Sequence, residues 1–252
     1  MAAIRIGTEC GPAVERKSDV KPQRTALVVM ARYPVAGAVK TRLARVMGAE
    51  AACEVYRAFL RDLDKRFAGG RRALVWAFLP PTSNFPALVT PGSRCMAQLG
   101  AELGERMHHC FRLLAEEGWG RILIIGVDAP HVREEWLEEA ETALGDSDLV
   151  LGPAEDGGYY LIGMRAPHDV FSGVEMGMAT VLAETVVRAE RLGLRLHLLP
   201  QTFDVDEAAD LLRLQQWLSL NGSTQQLPCT AALLQRWDGW LETIRTRRVS
   251  RS

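Results

Sequence analysis

Short runs of apolar residues alternate along this chain with longer stretches in which apolar positions recur at helical spacing. The apolar runs, which predict strands, read TALVVMA from Thr25, RALVWAFL from Arg72, RILIIGV from Arg121 and DLVLG from Asp148. The stretches between them predict helices at Ala49–Phe67, Leu103–Glu117 and Arg133–Leu144. Continuous apolar runs are typical of strands that are buried on both faces. The alternation therefore predicts an α/β fold, a three-layer αβα sandwich around a mostly parallel sheet.

The pattern changes after Gly152. An apolar run at Gly157–Met164 follows the preceding strand with too few residues between them for a crossover helix. One of these two strands is therefore predicted to run antiparallel or to leave the main sheet. A helix at Met178–Leu192, a strand at Leu194–Pro200 and a helix that ends near Leu220 complete the predicted domain.

The chain is predicted to divide into three segments. Residues 1–24 mix Gly, Pro, Lys and acidic residues without periodicity, which indicates a flexible leader. Residues 25–221 form the main domain, and residues 222–252 hold a linker and a last amphipathic helix at Thr230–Ile244. That helix would pack on the parent domain or, alternatively, join two copies of the chain in a homodimer.

The charge and cysteine content argue against several classes of protein. Thirty basic and 31 acidic residues give a formal charge of −1, so no overall positive field exists to attract nucleic acid or an anionic membrane. The five cysteines include no CxxC pair, which favours reduced thiols over disulfides or a zinc site. No apolar stretch is typical of a signal peptide or long enough to span a membrane. We expect a soluble cytoplasmic protein in which any phosphate recognition is local.

The loop after the first predicted strand, ARYPVAGAVKTRL, carries Arg32, Lys40 and Arg42 around Gly37. In an open α/β sheet, ligands bind at the carboxyl ends of the strands. Cations beside a turn, followed by the start of a helix, suit a diphosphate, which accepts hydrogen bonds from charged side chains and free backbone amides. The alternative is a basic loop that only faces solvent. Arg106, at the start of a later helix, is a further candidate for contacting a phosphate or a second substrate.

Acidic residues follow two later strands. Asp128 lies just past RILIIG, where it could cap the next helix or bind Mg²⁺ or Mn²⁺, since these cations take oxygen ligands and need only one or two protein carboxylates. Asp204 and Asp206 lie on the same side of an extended segment before a helix. One of these two is a candidate to cap that helix and the other to bind the metal.

The stretch GPAEDGGYY joins two predicted strands through a turn rich in acids and glycines. Its candidate residues are Glu155, Asp156, Gly157, Gly158, Tyr159 and Tyr160. The glycines suit a tight turn. The acids, beside a phosphate-binding cleft, are candidates to position and deprotonate the hydroxyl group of a second substrate. Successive tyrosines on a strand point to opposite faces, so one is expected to pack inside and the other to line the acceptor side.

Five motifs, in this order, resemble the bacterial DUF2064 family, whose members are provisionally assigned as glycosyltransferases. They are VVMARYPVAGAVKTRL, LGERM, IIGVDAP, GPAEDGGYYLIG and DVDEAADL, and the match covers roughly residues 25–220. The family is similar in turn to the nucleotide-diphospho-sugar transferase (GT-A) superfamily. The resemblance implies a GT-A-like domain that holds a nucleoside diphosphate sugar near the first strand. It also implies that Asp128 is the metal-binding acid and that Asp156 is the base.

The leading hypothesis is a glycosyltransferase that uses a nucleotide-sugar donor and a Mg²⁺ or Mn²⁺ ion to glycosylate the hydroxyl of a small acceptor. One alternative is a nucleotidyltransferase, which would join a nucleoside triphosphate to a phosphorylated acceptor and release pyrophosphate. Related nucleotidyltransferases wrap the triphosphate in a glycine-rich segment, whereas the first loop here has only Gly37, which favours the sugar donor. The other alternative is a nucleotide-binding module without turnover.

Overall fold

The computed structural model describes residues 24–220 and 222–249, so the predicted leader, apart from Arg24, lies outside the described residues. The strands are β1 (Thr25–Arg32), β2 (Ala73–Leu79), β3 (Arg94–Ala97), β4 (Arg121–Gly126), β5 (Leu149–Pro153), β6 (Tyr159–Met164) and β7 (Leu196–Leu198). The helices are α1 (Thr41–Met47), α2 (Ala49–Phe67), α3 (Leu103–Glu116), α4 (Glu134–Ala143), α5 (Val181–Arg191), α6 (Ala208–Leu220), α7 (Pro228–Arg236) and α8 (Asp238–Val249). None of these helices is both long and apolar enough to cross a membrane.

The strands form one seven-stranded sheet in the order β3-β2-β1-β4-β6-β5-β7. β6 is antiparallel to β4 and β5, while the other neighbouring strands are parallel. The predicted αβα fold with a mostly parallel sheet is confirmed, and β6 is the irregular strand. Because β1 pairs with β2 on one side and with β4 on the other, the strand order reverses beside β1. The carboxyl ends of β1 and β4 therefore flank the crevice in which open α/β sheets bind ligands.

Helices cover both faces of the sheet. On one face, Leu27 and Val29 of β1 belong to a buried cluster that includes Phe59 of α2. On the other face, Val28 belongs to a cluster that includes Phe111 of α3. Consecutive residues of a strand point to opposite faces, so a strand with apolar residues at every position is stable only when both faces are covered. This burial fixes the position of β1 and of the loop that follows it.

The edge strand β3 is an element that the apolar pattern does not predict. It has only four residues, and their sequence RCMA contains no continuous apolar run. β3 pairs in parallel with β2 and so extends the sheet by one strand. Its last residue, Ala97, leads directly to Gln98 beside the crevice.

The C-terminal segment forms two helices, α7 and α8, where the apolar pattern predicts one helix at Thr230–Ile244. The two helices are held by different partners. The fully buried carboxylate of Asp62 on α2 accepts hydrogen bonds from the backbone N–H groups of Cys229 and Thr230, both at 2.8 Å, and so fixes the start of α7. Gln215 of α6 donates to the carboxylate of Asp238 at 2.8 Å and fixes the start of α8. Attachment to two different helices accounts for the break between them.

Candidate functional site

Two adjoining pockets open at the carboxyl ends of β1 and β4. The first, called the cationic pocket, has a volume of about 580 Å³, and its polar lining comprises Arg32, Lys40, Thr41, Arg42, Tyr56, Gln98, Arg106, Asp128 and Asp206. The second, called the apolar pocket, has a volume of about 210 Å³, and its lining includes Met107, Ile124, Tyr159, Ile162, Met176, Met178 and Val181 together with the carboxylates of Asp128, Asp156 and Asp204. Asp128 lines both pockets and forms part of the wall between them.

Lys40, just before α1, has an unusual backbone conformation. Its φ of 48° and ψ of 47° are left-handed, and it is the only non-glycine residue in the described part of the chain with a positive φ. That conformation costs a residue with a side chain about 1–2 kcal/mol. The side chain is only 2% exposed, and its Nζ donates hydrogen bonds to Asp128, to Asp206 at 3.0 Å and to the carbonyl of Val205 at 2.7 Å. We call Lys40, Asp128 and Asp206 the ion cluster.

The ion cluster joins the loops after β1 and β4 to the segment before α6. Burial alone would lower the pKa of Lys40, but the carboxylates of Asp128 and Asp206 outweigh it, so the pKa is raised and the ammonium stays charged. The sequence predicts that Lys40 binds phosphate directly. An ammonium has three N–H donors, and in this structure protein oxygens accept from all three. Lys40 therefore holds the site together rather than offering donors to a ligand.

Two arginines of the cationic pocket are available to a ligand. Within residues 24–220 and 222–249, the guanidinium groups of Arg32 and Arg42 have no hydrogen-bond or ion-pair partner, and both residues line the pocket. Arg106 also lines it, but its guanidinium donates to two carbonyls of the loop before α3. Gly37, with a φ of 80°, allows the turn that carries this loop toward α1. Arg32 and Arg42 are thus the residues best placed to contact a phosphate group.

The cationic pocket contains two residues that the sequence pattern does not single out. The hydroxyl of Tyr56 on α2 accepts a hydrogen bond from the backbone N–H of Arg32 at 2.8 Å. The buried amide of Gln98 donates to the carbonyls of Ala31 and Ala77 at 3.0 and 2.8 Å and so ties the ends of β1 and β2 together. Tyr56 sits in a regular helical pattern and Gln98 follows the unpredicted β3, so the sequence carries no signal for either role.

The carboxylates near the shared wall do not cap the helices that follow them. α4 begins at Glu134, so Asp128 is too far along the chain to cap it. At the start of α6, the carboxylate of Asp210 accepts from two backbone N–H groups, at 2.8 and 3.0 Å. The capping role predicted for one of Asp204 and Asp206 therefore belongs to Asp210, which leaves both of the earlier carboxylates facing the site.

Negative charge accumulates around Asp204. Burial, the largest cause, acts together with the charges of Asp128, Asp156 and Asp206 to raise the pKa of Asp204 to about 7, against the opposing effect of Lys40. The charges of three carboxylates thus act on the carboxyl group of Asp204, and among the described residues Lys40 is the cation that opposes them. Such an excess of negative charge favours the binding of an additional cation.

The turn after β5 has the geometry that its glycines predict. The carboxylate of Asp156 accepts a hydrogen bond from the N–H of Gly158 at 2.9 Å, which closes an Asx turn and leaves the exposed side chain on the lining of the apolar pocket. Gly157 has a φ of 89°, and a Cβ atom there would lie 2.0 Å from the carbonyl oxygen of Ala179. Glycine is therefore required at position 157 for both conformational and steric reasons.

Glu155, the other candidate base, points elsewhere. Its carboxylate forms a bidentate ion pair with Arg213 of α6, at 2.5 and 2.6 Å. Glu155 lines neither pocket. The hydrogen bonds from Arg213 lower the pKa of Glu155, which weakens it further as a proton acceptor. The prediction of Glu155 as a catalytic base is not supported by this geometry, because the turn sends adjacent carboxylates in different directions.

Tyr159 and Tyr160 pack on opposite faces of the sheet, as the strand period predicts. Tyr160 belongs to the cluster around α2 and its hydroxyl donates to the carbonyl of Pro200 at 3.1 Å. Tyr159 packs on the opposite cluster, and burial raises the pKa of its hydroxyl. Both tyrosines contribute to the lining of the apolar pocket, whereas only one was expected to do so.

The carboxylates fit a metal ion that is shared with a substrate. The described residues contain no group of three or more His, Cys, Asp or Glu side chains arranged to hold a metal ion. Mg²⁺, however, is commonly bound through one or two carboxylates, with phosphates and water as its other ligands. Asp128 and Asp206 have side chains 49% and 38% exposed, and Lys40 bonds only the Oδ1 atom of each. Their Oδ2 atoms are hard oxygen donors that such an ion would accept.

Comparisons with known proteins identify the fold. A crystal structure from Desulfovibrio desulfuricans G20, provisionally named a nucleotide-diphospho-sugar transferase, is 33% identical, with 87% of this chain and 97% of that chain covered at a TM-score of 0.81. A 4-diphosphocytidyl-2C-methyl-D-erythritol synthase is 14% identical, with 76% of this chain and 97% of that chain covered at a TM-score of 0.48. A cytidylyltransferase from Leptospira borgpetersenii serovar Hardjo-bovis is 9% identical, with 86% of this chain and 94% of that chain covered at 0.47. Similarities as weak as the last two say nothing about activity.

The fold is that of the nucleotide-diphospho-sugar transferases. The model of the family "Uncharacterized protein conserved in bacteria (DUF2064)" matches residues 60–178, and the chain belongs to this family, as the sequence motifs predict. No protein with a curated description matches the sequence.

The ion cluster generates a prediction about stability. Replacing Lys40 with Met should lower the free energy of unfolding by about 2 kcal/mol, because Asp128 and Asp206 then repel each other without a counter-ion. Once Asp128 is Asn, the same change should cost less. We expect a coupling energy of about 1 kcal/mol or more in a double-mutant cycle of Lys40→Met and Asp128→Asn, measured by urea unfolding.

A matched cycle of Lys40→Met with Glu155→Gln serves as the control, since Glu155 is paired with Arg213 and not with Lys40. That control cycle should be additive. If the Lys40 and Asp128 changes were also additive to within about 0.5 kcal/mol, the ion cluster would not exist in solution.

Proposed function

We propose that the protein is a glycosyltransferase that binds a nucleoside diphosphate sugar in the cationic pocket and a small hydroxyl-bearing acceptor in the apolar pocket. The observation that carries the proposal is the separation of charge across Asp128. Arginines without a partner among the described residues line one side, and carboxylates among apolar side chains line the other. The similarity to a relative named for nucleotide-diphospho-sugar transfer supports the choice of donor.

The arginines would bind the donor. A diphosphate accepts hydrogen bonds well from guanidinium groups, and Arg32 and Arg42 have all of their side-chain donors free among the described residues. During transfer, negative charge grows on the departing nucleoside diphosphate. Fixed positive groups at that place stabilise the transition state more than the ground state. Arg32 and Arg42 would therefore serve both in binding and in catalysis.

A divalent cation forms part of the proposal. Mg²⁺ or Mn²⁺ would be held by Asp128 and Asp206 together with the diphosphate, and when bound it would neutralise charge on the leaving group. The excess of carboxylates around Asp204 supports this, because an anionic substrate would otherwise be repelled. Lys40 would keep Asp128 and Asp206 in place for the ion.

Asp156 is the proposed base. It lines the apolar pocket, its side chain is exposed, and its turn is fixed by Gly157. A carboxylate in that position would accept the proton of the acceptor hydroxyl as the oxygen attacks the sugar. The alternative reaction, nucleotidyl transfer to a phosphorylated acceptor, would need a cation for the acceptor phosphate. Among the described residues, the lining of the apolar pocket offers none.

Nucleotide binding tests the donor site. In calorimetric titrations with UDP, GDP and their sugars, with and without Mn²⁺, we expect one of the nucleotides to bind, and to bind more tightly with Mn²⁺. Arg32→Ala and Arg42→Ala should each weaken that binding by roughly tenfold to a hundredfold, the usual loss for a charged hydrogen bond. Arg45→Ala is the matched control, since Arg45 is exposed on α1, the helix that also holds Arg42, and does not line the pocket. Pyrophosphate release from a nucleoside triphosphate in the presence of an acceptor would instead establish nucleotidyl transfer.

The base is tested by Asp156→Asn. The amide oxygen of Asn can still accept from the N–H of Gly158, so the turn should be preserved while the proton acceptor is lost. We expect the rate of sugar transfer to fall by roughly 10² to 10⁴, with little change in the affinity for the donor. Asp146→Asn, at an exposed acid outside both pockets, should have no effect. Full turnover by the Asp156 variant would remove it from the mechanism.

A further inference from the structure

The apolar pocket restricts the kind of molecule that can occupy it. Its lining comes from β1, α3, β4, β6 and α5 and from connecting loops, and it is mostly aliphatic, thioether or aromatic. The three acidic residues of this lining are Asp128, Asp156 and Asp204, and no lysine, arginine or histidine is found among its described residues. The described lining of the pocket thus combines apolar side chains with acidic ones and contains no basic side chain.

We propose that the acceptor is an uncharged alcohol whose body is aliphatic or aromatic, rather than a sugar or a phosphorylated compound. This inference rests on the proposed function for the reaction, but the binding preference concerns the pocket alone. The apolar body would occupy the space between Met107, Ile162 and Met178. The hydroxyl would lie near Asp156, beside the shared wall at Asp128.

Charge excludes phosphorylated and carboxylated acceptors. Without the proposed metal ion, an anionic group in this pocket would meet carboxylates and no cation in the described lining, and repulsion between like charges is strong in a partly buried site. The cationic pocket, by contrast, offers on the other side of Asp128 two guanidinium groups that have no partner in the described part of the chain. An anion would therefore bind on that side, and a neutral molecule is favoured on the apolar side.

Hydrogen bonding disfavours a sugar. A sugar carries several hydroxyl groups, each of which loses water on binding and needs a new partner. The hydroxyl of Tyr160 already donates to Pro200, and the hydroxyl of Tyr159 is buried beneath the surface. The carboxylates are the remaining polar side chains of the described lining, so hydroxyl groups of a sugar that face its aliphatic and thioether side chains would lose water without gaining a partner.

Size and plasticity favour a small acceptor with a variable body. A volume of about 210 Å³ equals roughly seven waters at the density of the liquid. Met107, Met176 and Met178 supply flexible, polarisable walls that adapt to different apolar shapes. 2-Phenylethanol is a probe of suitable size and chemistry.

The transfer step balances without a further reactant. The alcohol oxygen would form a bond to the anomeric carbon of the donor, while the bond between that carbon and the diphosphate oxygen breaks. The nucleoside diphosphate would leave with the electron pair, and the alcohol proton would pass to Asp156. The products are a glycoside of the alcohol and a nucleoside diphosphate.

Ligand binding without nucleotide tests the inference. By ligand-observed NMR on the full chain, 2-phenylethanol should bind at least about tenfold more tightly than glucose or 2-phenylethyl phosphate. Met178→Trp should weaken the binding of 2-phenylethanol by about tenfold or more, because the larger ring occupies the pocket. Met178 is 50% exposed, so the change does not overfill the core. Val187→Trp, at a 43% exposed position of α5 outside the pocket, should leave binding unchanged.

A charge reversal provides the second measurement. Met178→Lys should tighten the binding of 2-phenylethyl phosphate and weaken that of 2-phenylethanol, whereas Val187→Lys should do neither. Equal or tighter binding of glucose or of the phosphate ester by the unaltered protein would overturn the inference, as would unchanged alcohol binding in both Met178 variants. Failure of nucleotide binding with intact alcohol binding would overturn the proposed function alone. A protein that binds and hydrolyses a nucleotide sugar but prefers glucose as the acceptor would overturn the inference alone.

Discussion

The buried ammonium of Lys40 between Asp128 and Asp206 is the interaction on which the site depends. A charged amine that is 2% exposed is costly to bury, and it is stable here because three protein oxygens accept its three donors. The two carboxylates lie 88 and 166 positions after Lys40 along the chain. Their convergence positions the shared wall between the cationic and apolar pockets.

The ion cluster also determines how charge is distributed around that wall. Lys40 is bound to Asp128 and Asp206, while Arg32 and Arg42, whose guanidinium groups have no partner among the described residues, lie on one side. The other side receives Asp156 from the turn after β5 and Asp204 from the segment before α6. This division of charge supports the two proposed substrates, an anionic donor and a neutral acceptor that would meet at Asp128.

Much of the fold and the location of the site follow from local sequence signals. The buried strands are recognisable as continuous apolar runs. A strand that departs from the parallel order is predicted near β6, because the connection between β5 and β6 is too short for a crossover helix. The basic loop and Asp128 are recognisable because both follow such strands. The roles within the site are harder to predict, because they depend on side-chain direction. From the sequence, Lys40 in its basic loop is predicted to bind phosphate. The structure shows instead a residue with a left-handed backbone whose ammonium is bound by two carboxylates distant along the chain.

Other features of the structure could not be predicted from the sequence, because they too depend on side-chain directions and distant contacts. Glu155 and Asp156 are adjacent acids, and only Arg213 on a distant helix shows that the first of them is paired away from the pockets. Tyr56 and Gln98 act through hydrogen bonds with backbone groups near the ends of β1 and β2. No local sequence pattern predicts such bonds. The break between α7 and α8 reflects anchoring to two different helices. Each of these depends on residues far apart in the chain.

A crystal structure of the protein with Mn²⁺ and its preferred nucleoside diphosphate would show whether the ion cluster separates a donor site from the apolar pocket. We expect the diphosphate to contact Arg32 and Arg42 and Mn²⁺ to lie on Asp128. Lys40 should still bridge Asp128 and Asp206, and the apolar pocket should stay free of nucleotide. Phosphate groups found inside the apolar pocket, or a Lys40 side chain that has left both carboxylates, would contradict this expectation.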